Sequence, residues 1–155
     1  MLRNFCASLA GLMAGGLLAA GTVYAEPSVG IFDCDELMRA DTIVEPWHEN
    51  TRTFANGKIR IAHLDTAGEP VCCSSHLLVI LKPQSLDGKC LVVRQSDGMG
   101  YNWLDFKNIQ STYDPSLGVG LSVPVFEYDP ETGAATGPQV IRLRINQATQ
   151  HISVE

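Results

Sequence analysis

From Asn50 to the end of the chain, apolar and polar residues alternate with a period of two in short runs, each closed by Gly, Pro, Asp or Asn. That is the pattern of half-buried strands, whose successive side chains point to opposite faces. In "VGLSVPV" the residues Val119, Leu121, Val123 and Val125 share one face, and in "VIRLRIN" Ile141, Leu143 and Ile145 oppose Arg142 and Arg144. The runs "VCCSSHLLVIL", "CLVVRQ", "WLDFKNIQSTY", "VGLSVPVFEY", "QVIRLRIN" and "HISVE" follow a hairpin centred on Asn56 and Gly57. About eight short antiparallel strands separated by turn residues predict an all-β domain, a sandwich or partly open barrel. Pro124 has no N–H to give to a ladder, so its strand is expected at an edge or at a bulge.

The hairpin is the sharpest local signal. In "TRTFANGKIRIAHLD" the Asn56-Gly57 pair suits the positive φ of a two-residue turn, which would set Phe54 opposite Ile59 and Asn50 opposite His63. Phe54, Ile59, Ile61 and His63 then share a face. Helical character is confined to "DCDELMRA", where Asp33 and Glu36 stand at capping-box spacing and predict one short N-terminal helix.

The first 25 residues change the picture of where the domain works. Arg3, a Leu, Ala and Gly run and the small-residue end Val23-Tyr24-Ala25 have the form of a cleaved secretory signal peptide. The apolar run is shorter than the roughly 20 residues a membrane span needs, and Cys6 precedes it, so neither a stable membrane anchor nor a lipid anchor is expected. The mature chain is expected to be one exported domain, 26–155, periplasmic or secreted. Of 11 basic residues, loss of Arg3 leaves 10 against 17 acidic ones, a net charge of −7 with no basic cluster. That balance argues against nucleic acid and anionic membrane surfaces as partners. Polar groups on both faces of several strands argue against an outer-membrane barrel.

Cysteine usage agrees with an oxidising compartment: Cys34, Cys72, Cys73 and Cys90 remain in the mature domain and predict disulfide stapling. If "VCCSSHLLVIL" and "CLVVRQ" pair as a simple hairpin, Cys90 faces roughly Leu81, and Cys73 lies about 26 Å further along, whereas bridged Cα atoms lie within about 7 Å. Two bridges running from the doublet to Cys34 and to Cys90 are the expected arrangement. The alternative is that Cys90 takes Cys34, which would leave Cys72 and Cys73 to bond to each other or stay reduced.

The cluster "CCSSH" also invites a metal reading, in which Cys72, Cys73 and His63 or His76 hold Cu or Zn, or a thiol-redox reading of the doublet. Strand geometry opposes one shared site. Cys72 and His76 would be roughly 13 Å apart on a strand instead of about 6 Å on a helix, and the two cysteines would point to opposite faces. The apolar face of that strand carries Cys73, Ser75, Leu77 and Val79, which places His63 near Cys73 and turns His76 away. A partly buried His63, hydrogen-bonded to Asp65 or a carbonyl, is the simpler expectation. No cofactor is otherwise expected.

Two further stretches are candidate binding loops. "VEPWHEN" sets Trp47 and His48 between acids, and "SDGMGYNWLD" sets Tyr101 and Trp103 in a Gly-rich loop. Each has a plainer reading, a Trp docked on the core and aromatics covering the end of a sandwich. No nucleophile elbow, P-loop, H-E-x-x-H or C-x-x-C is present, and a triad from Ser74, His63 and Asp65 is conceivable only through the fold. The expected function is therefore that of an exported, non-enzymatic β-domain that binds an unidentified protein partner or small ligand, with metal or thiol-redox chemistry at the doublet as the alternative.

Overall fold

The computed structural model describes residues 26–67, 72–82 and 88–155. The expected signal segment, 1–25, lies outside them. Ten strands form in chain order: β1 (Gly30–Asp33), β2 (Thr51–Phe54), β3 (Ile59–Asp65), β4 (Ser75–Leu81), β5 (Lys89–Arg94), β6 (Trp103–Leu104), β7 (Gln110–Asp114), β8 (Gly118–Asp129), β9 (Ala134–Asn146) and β10 (His151–Val154). One antiparallel sheet has the order β1-β5-β4-β3-β2. The second runs β10-β9-β8, with β6 and β7 both paired to the far side of β8. The all-β antiparallel reading holds, with more strands than the turn signals marked.

The alternating residues meet in a single core between the sheets. Ile59, Ile61, Leu77, Val79, Leu81 and Val93 from the first sheet pack against Val119, Leu121, Val123, Val125, Ile141, Leu143 and Ile145 from the second. Burying each such side chain contributes about 1.5–3 kcal/mol, so register follows the apolar face. β3 and β4 are buried on both sides. A second cluster, Ala62, Leu64 and Leu78, is covered on the outer face by Cys34, Met38 and Ile43. This explains the unbroken apolar run "LLVIL", which alternation alone does not account for.

The Asn56-Gly57 turn sets the register the sequence implies, with Phe54 opposite Ile59 and Thr51 opposite Ala62. His63 N–H donates to the Asn50 carbonyl at 3.0 Å. The turn itself is wider than two residues: positive φ runs from Ala55 (52°) through Asn56 (56°) to Gly57 (80°). Pro124 lies in an interior strand. It pairs with Val140 on one side, and on the other it falls between the stretches of β8 taken by β7 and β6. Its carbonyl accepts from Asp105 N–H at 3.0 Å, and its missing donor is not needed there. A bulge follows between Val125 and Glu127.

The expected N-terminal helix does not form. Asp33 closes β1 opposite Leu91, and Arg94 pairs with Asp35 at 3.2 Å, so the chain is held extended where a helix would nucleate. Asp35 accepts the Leu37 N–H at 3.0 Å, making an isolated turn, and a 3-10 turn at Ala40–Thr42 follows. Among the described residues no helix is long and apolar enough to cross a membrane.

Candidate functional site: the cysteine doublet against the Gly-rich loop

β4 and β5 are simple hairpin partners, with Ile80 opposite Cys90. This register carries Cys90 away from the doublet and toward the end of β1, where Cys34 N–H donates to the Cys90 carbonyl at 3.1 Å. The Cys34–Cys90 bridge closes there with Cα atoms 5.4 Å apart. Cys72 and Cys73 bond to each other, with Cα atoms 3.8 Å apart. The expected pair of bridges from the doublet to Cys34 and Cys90 is thus replaced by the vicinal alternative. The hairpin is the reason, because it puts the length of a strand between Cys90 and the doublet.

The doublet is docked on the Gly-rich loop, a contact between stretches that the sequence left separate. Asn102 Nδ2 donates to the Cys72 carbonyl at 3.1 Å. Ser75 and Tyr101 exchange backbone hydrogen bonds of 3.1 and 2.8 Å, an isolated bridge that extends β4 toward β6. Between them Gly100 lies so close to Cys73 that a Cβ there would be 2.3 Å from the Cys73 carbonyl oxygen and 2.9 Å from the His76 ring. Only glycine fits that approach. Tyr101 is fully buried, with its hydroxyl donating to the Ser28 carbonyl at 3.0 Å. Burial, and secondly Glu127, push its phenol pKa upward. Trp103, 47% exposed, stands edge-on to His63 with ring centres 5.1 Å apart.

His63 and His76 take opposite faces of the first sheet. His63 is opposite Leu77 on the core face, stacks near Phe106, and its Nε2 lies 3.1 Å from Ser75 Oγ. Ser75, not Cys73, Asp65 or a carbonyl, is its partner. His76 sits opposite Leu64 on the outer face, with Nε2 3.4 Å from Thr66 Oγ1. Nδ1 of each ring is buried and has no hydrogen-bond partner among the described residues. Desolvation lowers both pKa values to about 4; Asp65 opposes the shift at His63, while at His76 Arg94 reinforces it. Both rings are therefore neutral at neutral pH.

These positions separate groups that the sequence made candidates for one site. The two histidines cannot face a common ion. With both sulfurs engaged in the vicinal bond, the doublet presents no thiolate. Among the described residues no three His, Cys, Asp or Glu side chains gather as a metal site. The conceivable triad also divides: Asp65, its pKa lowered chiefly by the Ser74 hydroxyl, accepts from Ala67 N–H, while His63 meets Ser75.

Trp47 is half-exposed instead of docked on the core, and His48 beside it stands 3.8 Å from the Glu49 carboxylate. A separate cavity of about 490 Å³ opens between the β2–β3 turn and β7, lined by Phe54, Lys58, Ser111, Tyr113 and Gln147 among others. Next to it Arg52 ties β2 to the turn before β7, donating to the carbonyls of Ile109, Phe106 and Lys107 at 2.7, 3.0 and 2.9 Å. Its guanidinium lies over the Phe106 ring, 5.2 Å from the centre. Neither Arg52 nor Asn102 carries a local motif; their partners lie far away in sequence.

No protein-family model, curated protein or solved structure matches this chain.

Proposed function

We propose that this chain is an exported, non-enzymatic β-domain that binds an extended segment of a partner protein in the cleft between the β2–β3 turn and β7. One observation carries the reading: the edge strand β7 and the β2–β3 turn of the other sheet border a single cavity of about 490 Å³. That volume lies within the roughly 300–1,000 Å³ of ligand pockets. β7, "QSTYD", pairs only with β8 among the described residues and carries no proline or lysine to block a further strand. Backbone groups on such an edge can pair with an extended peptide, while Phe54 and Tyr113 offer apolar surface and Ser111, Lys58 and Gln147 polar contacts.

The test is selection of peptide ligands on the mature domain, followed by affinity measurement on Ser111→Trp, which fills the cleft, and Tyr113→Ala. Selected peptides should lose at least about tenfold in affinity, equivalent to 1.4 kcal/mol, on both variants. Ligands indifferent to both would sink the proposal. Export is tested separately by expressing the full chain in a Gram-negative host. The expected product starts at Glu26 in the periplasm; an uncleaved cytoplasmic protein would contradict it.

A second reading, a thiol-redox protein, is favoured by the Cys72–Cys73 bond itself. Its measurement is alkylation of the native protein in graded dithiol: two thiols should appear before unfolding and disappear again on reoxidation.

A further inference from the structure

We infer that the Cys72–Cys73 bridge is an exchange site for an external dithiol, and that opening it loosens the Gly100–Trp103 segment from β4; this rests on the thiol-redox reading. Adjacency is the first ground. Neighbouring Cα atoms across a peptide bond are 3.8 Å apart here, below the roughly 4.4–6.8 Å that disulfides usually span. A bridge between neighbours closes a small ring containing a peptide bond, and constrained, accessible bridges are the ones that exchange most readily. Both cysteines are partly exposed, so an attacking thiolate has a path.

What the doublet holds is the second ground. Its two carbonyls are the surface on which the Gly-rich loop rests, Cys72 through the 3.1 Å bond from Asn102 and Cys73 through the close approach of Gly100. The Ser75–Tyr101 bridge begins two residues later, and Trp103 then enters a strand only two residues long. The ring contains the Cys72–Cys73 peptide and so fixes the direction of the Cys72 carbonyl and the exit of the chain at Cys73; opening it frees the peptide on which Asn102 rests. The segment most exposed to that release is Gly100–Trp103, with Trp103 against His63.

The chemistry balances. One thiolate of the dithiol attacks a doublet sulfur, breaking the S–S bond and forming a mixed disulfide. The second thiol of the carrier then displaces the remaining doublet thiolate. Two electrons and two protons pass to Cys72 and Cys73, and the carrier leaves as its own disulfide.

The experiment uses the mature protein carrying Trp47→Phe, so that Trp103 is the sole indole, titrated with dithiothreitol. Thiols are mapped by alkylation and mass spectrometry while quenching of Trp103 by acrylamide is followed. Cys72 and Cys73 should be alkylated before Cys34 and Cys90, and Trp103 quenching should rise along the same curve. Asn102→Ala should open about fivefold more readily, the equivalent of one hydrogen bond of roughly 1 kcal/mol. A Cys72→Ser/Cys73→Ser variant should give no change in quenching. If Cys34 and Cys90 open first or together with the doublet, the thiol-redox reading falls. If the doublet opens first while Trp103 quenching stays flat, the coupling falls and the redox reading stands. A quenching change in the double serine variant would place the signal at the other bridge and overturn the inference.

Discussion

The two disulfides of this domain are the same bond used for different ends. Cys34–Cys90 joins residues 56 apart in sequence at the end of the β1–β5 ladder, and it holds the segment that covers the outer face of β3 and β4. Cys72–Cys73 joins residues one apart and removes almost no freedom from the unfolded chain. The first stabilises the fold through what the unfolded chain loses. The second sets a local backbone direction that a distant loop reads. A disulfide's structural weight therefore follows the loop it closes, and its capacity to act as a site follows what rests upon it.

The largest effect should come from breaking the long staple. Cys34→Ser/Cys90→Ser should lower unfolding free energy by about 4 kcal/mol, measured as a fall in the urea midpoint, with a steeper slope because the unfolded chain without its cross-link exposes more surface. A loss below 1 kcal/mol would remove the contrast between the bridges.

Acid probes the doublet's end of the molecule. His63 and His76 have folded pKa values of about 4, below the ordinary 6.5. Above pH 6.5 both are neutral in either state. As pH falls from 6.5 toward 4 the unfolded chain takes up protons that the folded one refuses. The histidine contribution should drop over that window by up to roughly 3 kcal/mol per ring, and below it the carboxylates with lowered pKa values, Asp65 among them, take over the loss. Unfolding curves at stepped pH check this, and a flat profile would show that the rings are not desolvated. Hydrogen exchange should show the Ser75–Tyr101 amides losing protection before those of the β1–β5 ladder.

Gly100→Ala should cost about 1–3 kcal/mol, because the added Cβ drives into the Cys73 carbonyl and overpacked sites pay in backbone shifts. The cost should shrink in a Cys72→Ser/Cys73→Ser background, where the chain at position 73 is no longer held by the ring and can shift away from the added Cβ. Unfolding of the four variants as a double-mutant cycle checks the coupling. Cys72→Ser/Cys73→Ser by itself should change stability least, by less than about 1 kcal/mol, as thermal or urea unfolding would reveal.

The same contrast separates what the sequence disclosed from what it withheld. Alternation in β3, β8 and β9 exposed the faces that build the core, and Asn56-Gly57 placed His63 opposite Asn50, since period and turn chemistry are local. The helix expected from Asp33 and Glu36 failed because capping residues are local too, and here a ladder to β5 and an ion pair to Arg94 override them. Cysteine pairing lay outside local reach, since it needed the β4–β5 register, and the loop between those strands includes residues 83–87, beyond the described structure. Ser75 was visible on His63's face, two residues from the Cys73 that drew attention instead. The grip of Gly100 and Asn102 on the doublet joins stretches about 30 residues apart, and long-range docking of that kind leaves no periodic trace.

The role of the doublet depends on its pairing, and a disulfide map of the unreduced 26–155 chain tests this most directly. Proteolysis and mass spectrometry without reductant should give a cross-linked pair of peptides containing Cys34 and Cys90, and one linear peptide holding Cys72 and Cys73 with the mass of their mutual bond. A cross-link from Cys72 or Cys73 to Cys34 or Cys90 would contradict the account.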